Sequence, residues 1–212
     1  MNRIDSFLEV WSNYVKKKLN RRPGLVVISG FPATGKSTLA NGLGAHFGLP
    51  FIGKDQIKEL IFDTLKSGDR AWSQRVGASA YEILLNFAET LLKSRQSVII
   101  ESNFKPELDS KRFAKIRDEF NCFIGQIQCD GNRETIVNRF VSRASFDLRH
   151  PGHVEMENRE EFISTLRASS SSELQLDCPI LRLNTTDFSI DNNMQLSIDF
   201  LQNFFAQISE TK

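Results

Sequence analysis

The chain has 212 residues, 40% of them hydrophobic and 25% charged, and its 27 Lys and Arg nearly balance 26 Asp and Glu for a formal net charge of +1. That length supports one sizeable core, and the near-neutral balance excludes a global field that would gather nucleic acid, leaving only a local basic groove open. Cys122, Cys129 and Cys178 are an odd number without metal-like spacing, so small buried hydrophobes are expected instead of a disulfide framework.

Ile4, Phe7, Leu8, Trp11, Val15 and Leu19 recur at helical spacing, so an amphipathic helix over 1–22, packed on the domain and ending before Pro23, is expected. Its Lys16, Lys17 and Lys18 read as a solvated face, with a nucleic-acid patch that also draws on Arg21 and Arg22 as the alternative. Charges interrupt this segment's apolar pattern, which is unlike a secretory leader, and no run reaches the length of a membrane span. A cytoplasmic protein is the expectation.

Residues 23–212 read as a single domain. Near-continuous apolar runs at Leu25 to Ser29, Pro50 to Gly53, Ser97 to Glu101, Cys122 to Gln128 and Pro179 to Leu183 predict strands buried on both faces. Helical patterns separate them at Lys36 to Phe47, Gln56 to Leu65, Ala71 to Lys93, Pro106 to Asp118 and Arg133 to Arg143. Trp72, Val76, Tyr81, Leu84, Leu85, Leu91 and Leu92 read as core, and Met194, Ile198, Leu201, Phe205 and Ile208 predict a closing helix over 190–208. The stretch Ala168 to Ser172 reads as a helix end or mobile turn. Alternating strands and helices imply a mainly parallel sheet, which places its ligands at the carboxyl ends of the strands.

The first strand runs directly into "GFPATGKST", Gly30 to Thr38, which fits GxxxxGK[ST] at every fixed position. Glycines there let backbone amides turn inward around phosphate oxygens, and the free N–H groups of the following helix attract negative charge. Gly30, Phe31, Pro32, Ala33, Thr34, Gly35, Lys36, Ser37 and Thr38 are therefore the candidate nucleotide-binding residues. Lys36 would reach the outer phosphates of ATP, and the Ser37 hydroxyl would bind Mg²⁺. The signatures DxxG and NKxD are absent, which argues against a regulatory GTPase, and the chain is short for a motor ATPase. Phosphoryl transfer remains.

Transfer needs a group that orients and deprotonates an acceptor. Asp55, at the start of the helix after the second strand, is read as that group, with a helix N-cap as the alternative. Glu101, followed by Ser102 and Asn103, ends the third strand and is read as a Mg²⁺ carrier, with ordinary strand-end hydrogen bonding as the alternative. Arg139 and Arg143 lie one turn apart and are read as lid arginines that meet the transferred charge, Arg133 being able to join them. Pairing with Glu134 or Asp147 is the bland alternative. "RHPGH" holds His150 and His153 in a turn with one spaced pair, which suits a mobile loop over the acceptor pocket better than structural zinc. Asn184, Thr185 and Thr186 follow the fifth strand, where a loop can flank the nucleotide base.

"GFPATGKSTLA", "FIGKDQIKEL", "VIIESNF" and the arginines of "NRFVSRA" resemble the small P-loop kinases often labelled "AAA family ATPase", whose relatives include chloramphenicol phosphotransferase, zeta toxins and the kinase part of polynucleotide kinase. The resemblance covers residues 25–188. It implies a nucleoside-monophosphate-kinase-like five-stranded parallel sheet of order 2-3-1-4-5, flanked by helices, with a helical lid near 130–175. It also implies that Asp55 activates the acceptor and that Arg139 and Arg143 belong to the lid, whereas Glu101 stands where Asp is commoner. The expected activity is an ATP- and Mg²⁺-dependent kinase acting on a hydroxyl of a small molecule such as a nucleoside, a sugar or an antibiotic-like compound. A polynucleotide 5′-hydroxyl kinase and a non-catalytic ATP-responsive module are the alternatives.

Overall fold

A computed structural model of the chain describes residues 22–66, 68–145, 150, 159–168, 173–187 and 189–210. The expected N-terminal helix with Lys16 to Lys18 lies outside them, as do Asp147, His153 and 169–172.

Five parallel strands, β1 (Gly24–Gly30), β2 (Phe51–Gly53), β3 (Val98–Glu101), β4 (Phe123–Asp130) and β5 (Ile180–Asn184), form one sheet in the order β2-β3-β1-β4-β5. The sequence order 2-3-1-4-5 is thus the observed one. β1 sits at the centre because its side chains must be buried on both faces. Leu25, Val26, Val27 and Ile28 are each at most 1% exposed, and a fully buried aliphatic side chain contributes roughly 1.5–3 kcal/mol.

Alternation along the strands sorts their side chains to two cores. On one face Val26, Ile28, Ile99, Ile127 and Cys129 pack against α1 (Lys36–Phe47) and α7 (Ile190–Glu210). On the other, Leu25, Val27, Ile100 and Ile124 meet α2 (Lys54–Leu65), α3 (Arg70–Lys93) and α4 (Pro106–Phe120). Two further helices, α5 (Arg133–Ser145) and α6 (Arg159–Ala168), pack on each other through Ile136, Val137 and Leu166. The spacing argument does not give α6.

The expected core stripe of α3 holds for Val76, Leu84, Leu85 and Leu92, which are buried, while Trp72, Tyr81 and Leu91 are half-buried. Tyr81 donates to Asp109 Oδ1, and the other Asp109 oxygen accepts the Lys105 N–H at 2.6 Å, pinning the start of α4. Burial, then the hydrogen bond to Asp109, raises the Tyr81 pKa well above its ordinary value. Cys122 and Cys129 are buried as expected, whereas Cys178 is half-buried and accepts from the Gln126 amide at 3.1 Å.

Candidate active site

β1 ends in a residue that has to be glycine. Gly30 has φ +144°, and a β-carbon built there would lie 2.1 Å from the Cys129 carbonyl oxygen. The close pairing of β1 with β4 therefore fixes where the loop leaves the sheet. The loop carries its own shape: Ala33 holds φ 65°, a left-handed conformation that costs a non-glycine residue about 1 kcal/mol. Thr34 Oγ1 and Lys36 Nζ each donate to the Phe31 carbonyl at 2.8 Å. These bonds close the turn around the direction in which α1 begins.

β3 lies beside β1 in register, so that Glu101 pairs with Ile28 and also with Gly53 of β2. Glu101 is thereby delivered to the first turn of α1. Ser37 Oγ donates to Glu101 Oε2 at 2.9 Å, and Lys36 Nζ stands 3.6 Å from Glu101 Oε1, with the two charged side chains 8% and 7% exposed. An ammonium so withdrawn from water is retained only with a counter-charge and hydrogen bonds, and Glu101 and the Phe31 carbonyl supply both. The Ser37 hydroxyl and the Glu101 carboxylate are hard oxygen donors, the set that suits Mg²⁺ shared with phosphate oxygens. The exposed positions of Ser37 and Thr38 leave this edge open to a ligand.

The N-cap of α2 is Gly53, whose N–H donates to Gln56 Oε1 at 2.9 Å. Asp55 therefore sits inside the first turn, half-buried, and the N-cap alternative for it is corrected. A β-carbon built at Gly53 would lie 3.1 Å from Glu101 Oε2, so the β2–α2 junction that carries Asp55 abuts the Glu101 carboxylate. Lys54 Nζ donates to Asn103 Oδ1 at 3.1 Å, tying that junction to the loop after β3. Sequence reasoning did not single out Lys54.

At the other edge, Asn132 Oδ1 accepts from the Glu134 and Thr135 N–H groups and caps α5. Arg133 donates to Asp130 Oδ1 at 2.5 Å and lies 4.7 Å from the centre of the Phe31 ring. Arg139 donates to the carbonyls of Thr185 and Thr186, at 2.6 Å each, and its burial there lowers its pKa. Arg143, one turn further on, is exposed. Glu134 pairs with Arg167 of α6 at 2.8 Å, so the bland partner suggested for the lid arginines is engaged elsewhere. His150 stacks on Phe62, with ring centres 5.8 Å apart, and meets Asp63 at 2.9 Å, which sets it on α2.

Between the phosphate loop and the start of α7 lies a small cavity of about 30 Å³ bordered by Thr38, Leu39, Cys129, Thr185, Asn193 and Met194. Its wall is uncharged: burial pushes the Cys129 thiol up to about 12. Thr185 thus borders the phosphate loop, and Thr186 follows it. Asn193 and Met194 join them from α7.

The strand order and the loop with its buried Lys36 and Glu101 define a P-loop kinase-like domain. The family described as an AAA domain, AAA_33, matches residues 25–168, and the chain belongs to it. It is similar to the crystal structure of a provisionally assigned kinase from Chloroflexus aurantiacus, 36% identical with a TM-score of 0.80, covering 86% of this chain and 98% of that one. A sugar kinase from Janibacter sp. shares the fold at 15% identity and a TM-score of 0.52, covering 85% of this chain and 95% of that one. A gluconokinase from Sinorhizobium meliloti does so at 15% and 0.50, covering 89% and 99%. Uncharacterized proteins of Mycobacterium tuberculosis and Mycobacterium bovis are 26% identical over 129 residues, or 57% of this chain. The chain spans only 26% of the length of these curated relatives. Among the described residues, no helix is long and apolar enough to cross a membrane.

Proposed function

We propose that this chain is an ATP- and Mg²⁺-dependent kinase that phosphorylates a hydroxyl of a small molecule. The observation that carries the reading is the convergence of Lys36 Nζ and Ser37 Oγ on Glu101, at 3.6 and 2.9 Å, with the junction that bears Asp55 against the same carboxylate. Bound ATP with Mg²⁺ supplies the γ-phosphoryl group and part of the charge neutralisation. The backbone N–H groups of the Gly30 to Thr38 loop, other than at Pro32, which has none, would hold phosphate oxygens. Lys36 would set its ammonium against the outer phosphates, and Ser37 and Glu101 would hold the metal, which would neutralise phosphate charge there.

Asp55 orients the acceptor hydroxyl and takes its proton. Arg143, on the exposed side of α5, meets the charge that develops on the transferred group, while Arg139 acts from the side of Thr185 and Thr186. Kinase neighbours of the same fold support the reaction class, and the small, uncharged cavity beside Thr185 supports a nucleotide base there.

The test is transfer of label from γ-labelled ATP into fractionated cell extract by wild type and Asp55→Asn. Label in a small-molecule fraction that falls at least about 100-fold in the variant supports the reading. Label found in RNA, or full transfer by Asp55→Asn, overturns it.

A further inference from the structure

Phosphate loops grip their ligand with backbone amides, so the side chain at the second position of the loop has no need to be large. Here it is Phe31, which is half-buried. Its ring joins the small apolar cluster of Ile136, Val137 and Val141 from α5 with Ile163 and Leu166 from α6. Among the described residues of that cluster, Phe31 is the one that does not belong to α5 or α6. The face of the same ring carries the Arg133 guanidinium at 4.7 Å, and Arg133 is itself held by Asp130 at the end of β4.

The backbone of Phe31 is tied just as firmly to the phosphate machinery. Its carbonyl accepts the Lys36 ammonium at 2.8 Å, along with the Thr34 hydroxyl at 2.8 Å. Lys36 has three N–H donors, one of them held by the Phe31 carbonyl, so a phosphate that draws on the others re-aims the ammonium against that bond. One residue thus bears the parked lysine on its main chain and the α5–α6 pair on its side chain.

We propose that Phe31 is a positioning residue that transmits occupancy of the phosphate loop to α5 and α6, so that the lid tightens when Lys36 turns from the Phe31 carbonyl to a phosphate. This rests on the nucleotide reading above. Lid closure is thereby set by a contact inside the loop, in addition to the one proposed between Arg143 and the transferred group. Arg133 reinforces it, because its stacking on the ring holds α5's first turn over the loop.

The test is hydrogen exchange of the amides in 133–145 and 159–168, for wild type, Phe31→Ala and Phe31→Leu, without ligand and with each chain saturated with MgADP as checked by titration. Wild type should exchange more slowly with MgADP. Phe31→Ala should exchange at least about tenfold faster than wild type without ligand, and should lose the MgADP-dependent slowing while ADP is bound. Phe31→Leu, which keeps apolar bulk, should restore part of both.

Unchanged exchange in Phe31→Ala without ligand, or retained slowing with it, overturns the proposal. So does a Phe31→Ala chain that takes up no ADP, which would put the ring in binding itself. A wild type that binds no ADP removes the nucleotide reading and this proposal together; a wild type that binds ADP with no change in α5 and α6 removes the coupling alone.

Discussion

The hydroxyl of Ser37 donates to Glu101 Oε2 at 2.9 Å, across 64 residues of sequence. The carboxylate is held by this hydroxyl and by Lys36, so the groups proposed to bind Mg²⁺ are gathered on one another. Glu101→Gln should therefore lower ADP affinity at least about tenfold in the presence of Mg²⁺ and change it little in EDTA. Calorimetric titration in the two buffers checks this, and an equal loss in both would assign Glu101 a purely structural part.

Arg139 spans two adjacent carbonyls, Thr185 O and Thr186 O, with its two terminal nitrogens. A lysine has a single nitrogen and cannot reproduce that fork. Arg139→Lys should loosen the loop beside the small cavity and weaken binding of ADP more than that of inorganic triphosphate, by about tenfold, because the latter lacks a base. Competition between the two ligands provides the measurement.

Two glycines with positive φ should differ sharply. At Gly30 a methyl group would meet the Cys129 carbonyl at 2.1 Å, whereas at Gly48, with φ +61°, it would meet nothing within 4 Å. Gly48→Ala should cost about 1 kcal/mol, the backbone penalty alone. Gly30→Ala should cost at least about 3 kcal/mol, since the backbone strain is joined by a clash that shifts β1 against β4. Urea titration of both variants decides it.

The raised pKa of Tyr81 gives a pH dependence with a definite sign. Below its unfolded value of 10.0 the phenol is protonated in both states and the contribution is fully present. Above that pH the unfolded chain releases the proton while the folded chain retains it, so stability falls as pH rises. Tyr81→Phe should flatten the decline above pH 10, at some cost below it from the lost bond to Asp109. Melting temperature against pH reads both.

The sheet and its order were legible because Leu25 to Ile28 and Val98 to Ile100 are apolar at every position, a pattern that only doubly covered strands tolerate. Boundaries were less so. α2 starts at Lys54, two residues before the pattern suggests, because the extended Gly53 caps it and Gln56 bonds back to the Gly53 N–H. α6 was missed because its sequence is mostly polar and its few buried contacts, such as Leu166, face α5 and not the sheet. Within the candidate site, Lys36, Ser37 and Glu101 were expected from spacing and strand ends, and the structure brings them together. The partners of Arg139 were not, because they are main-chain carbonyls 46 and 47 residues away and a carbonyl leaves no mark on the residue type. The link from Lys54 to Asn103 was hidden for a similar reason, since it spans 49 residues and joins the start of α2 to the loop after β3.

The central place of β1 has a consequence for how the protein is made. β1 and its loop are made before both of the strands that flank β1, namely β3, which ends at Glu101, and β4, which ends at Asp130. Gly30 is seated against Cys129, and Lys36 has its counter-charge in Glu101. Pairings so distant in sequence form late and slowly. A nascent chain that has not yet reached Asp130 has the phosphate motif in its sequence but lacks a flanking strand to hold it, so the loop takes its shape only once β4 has been made.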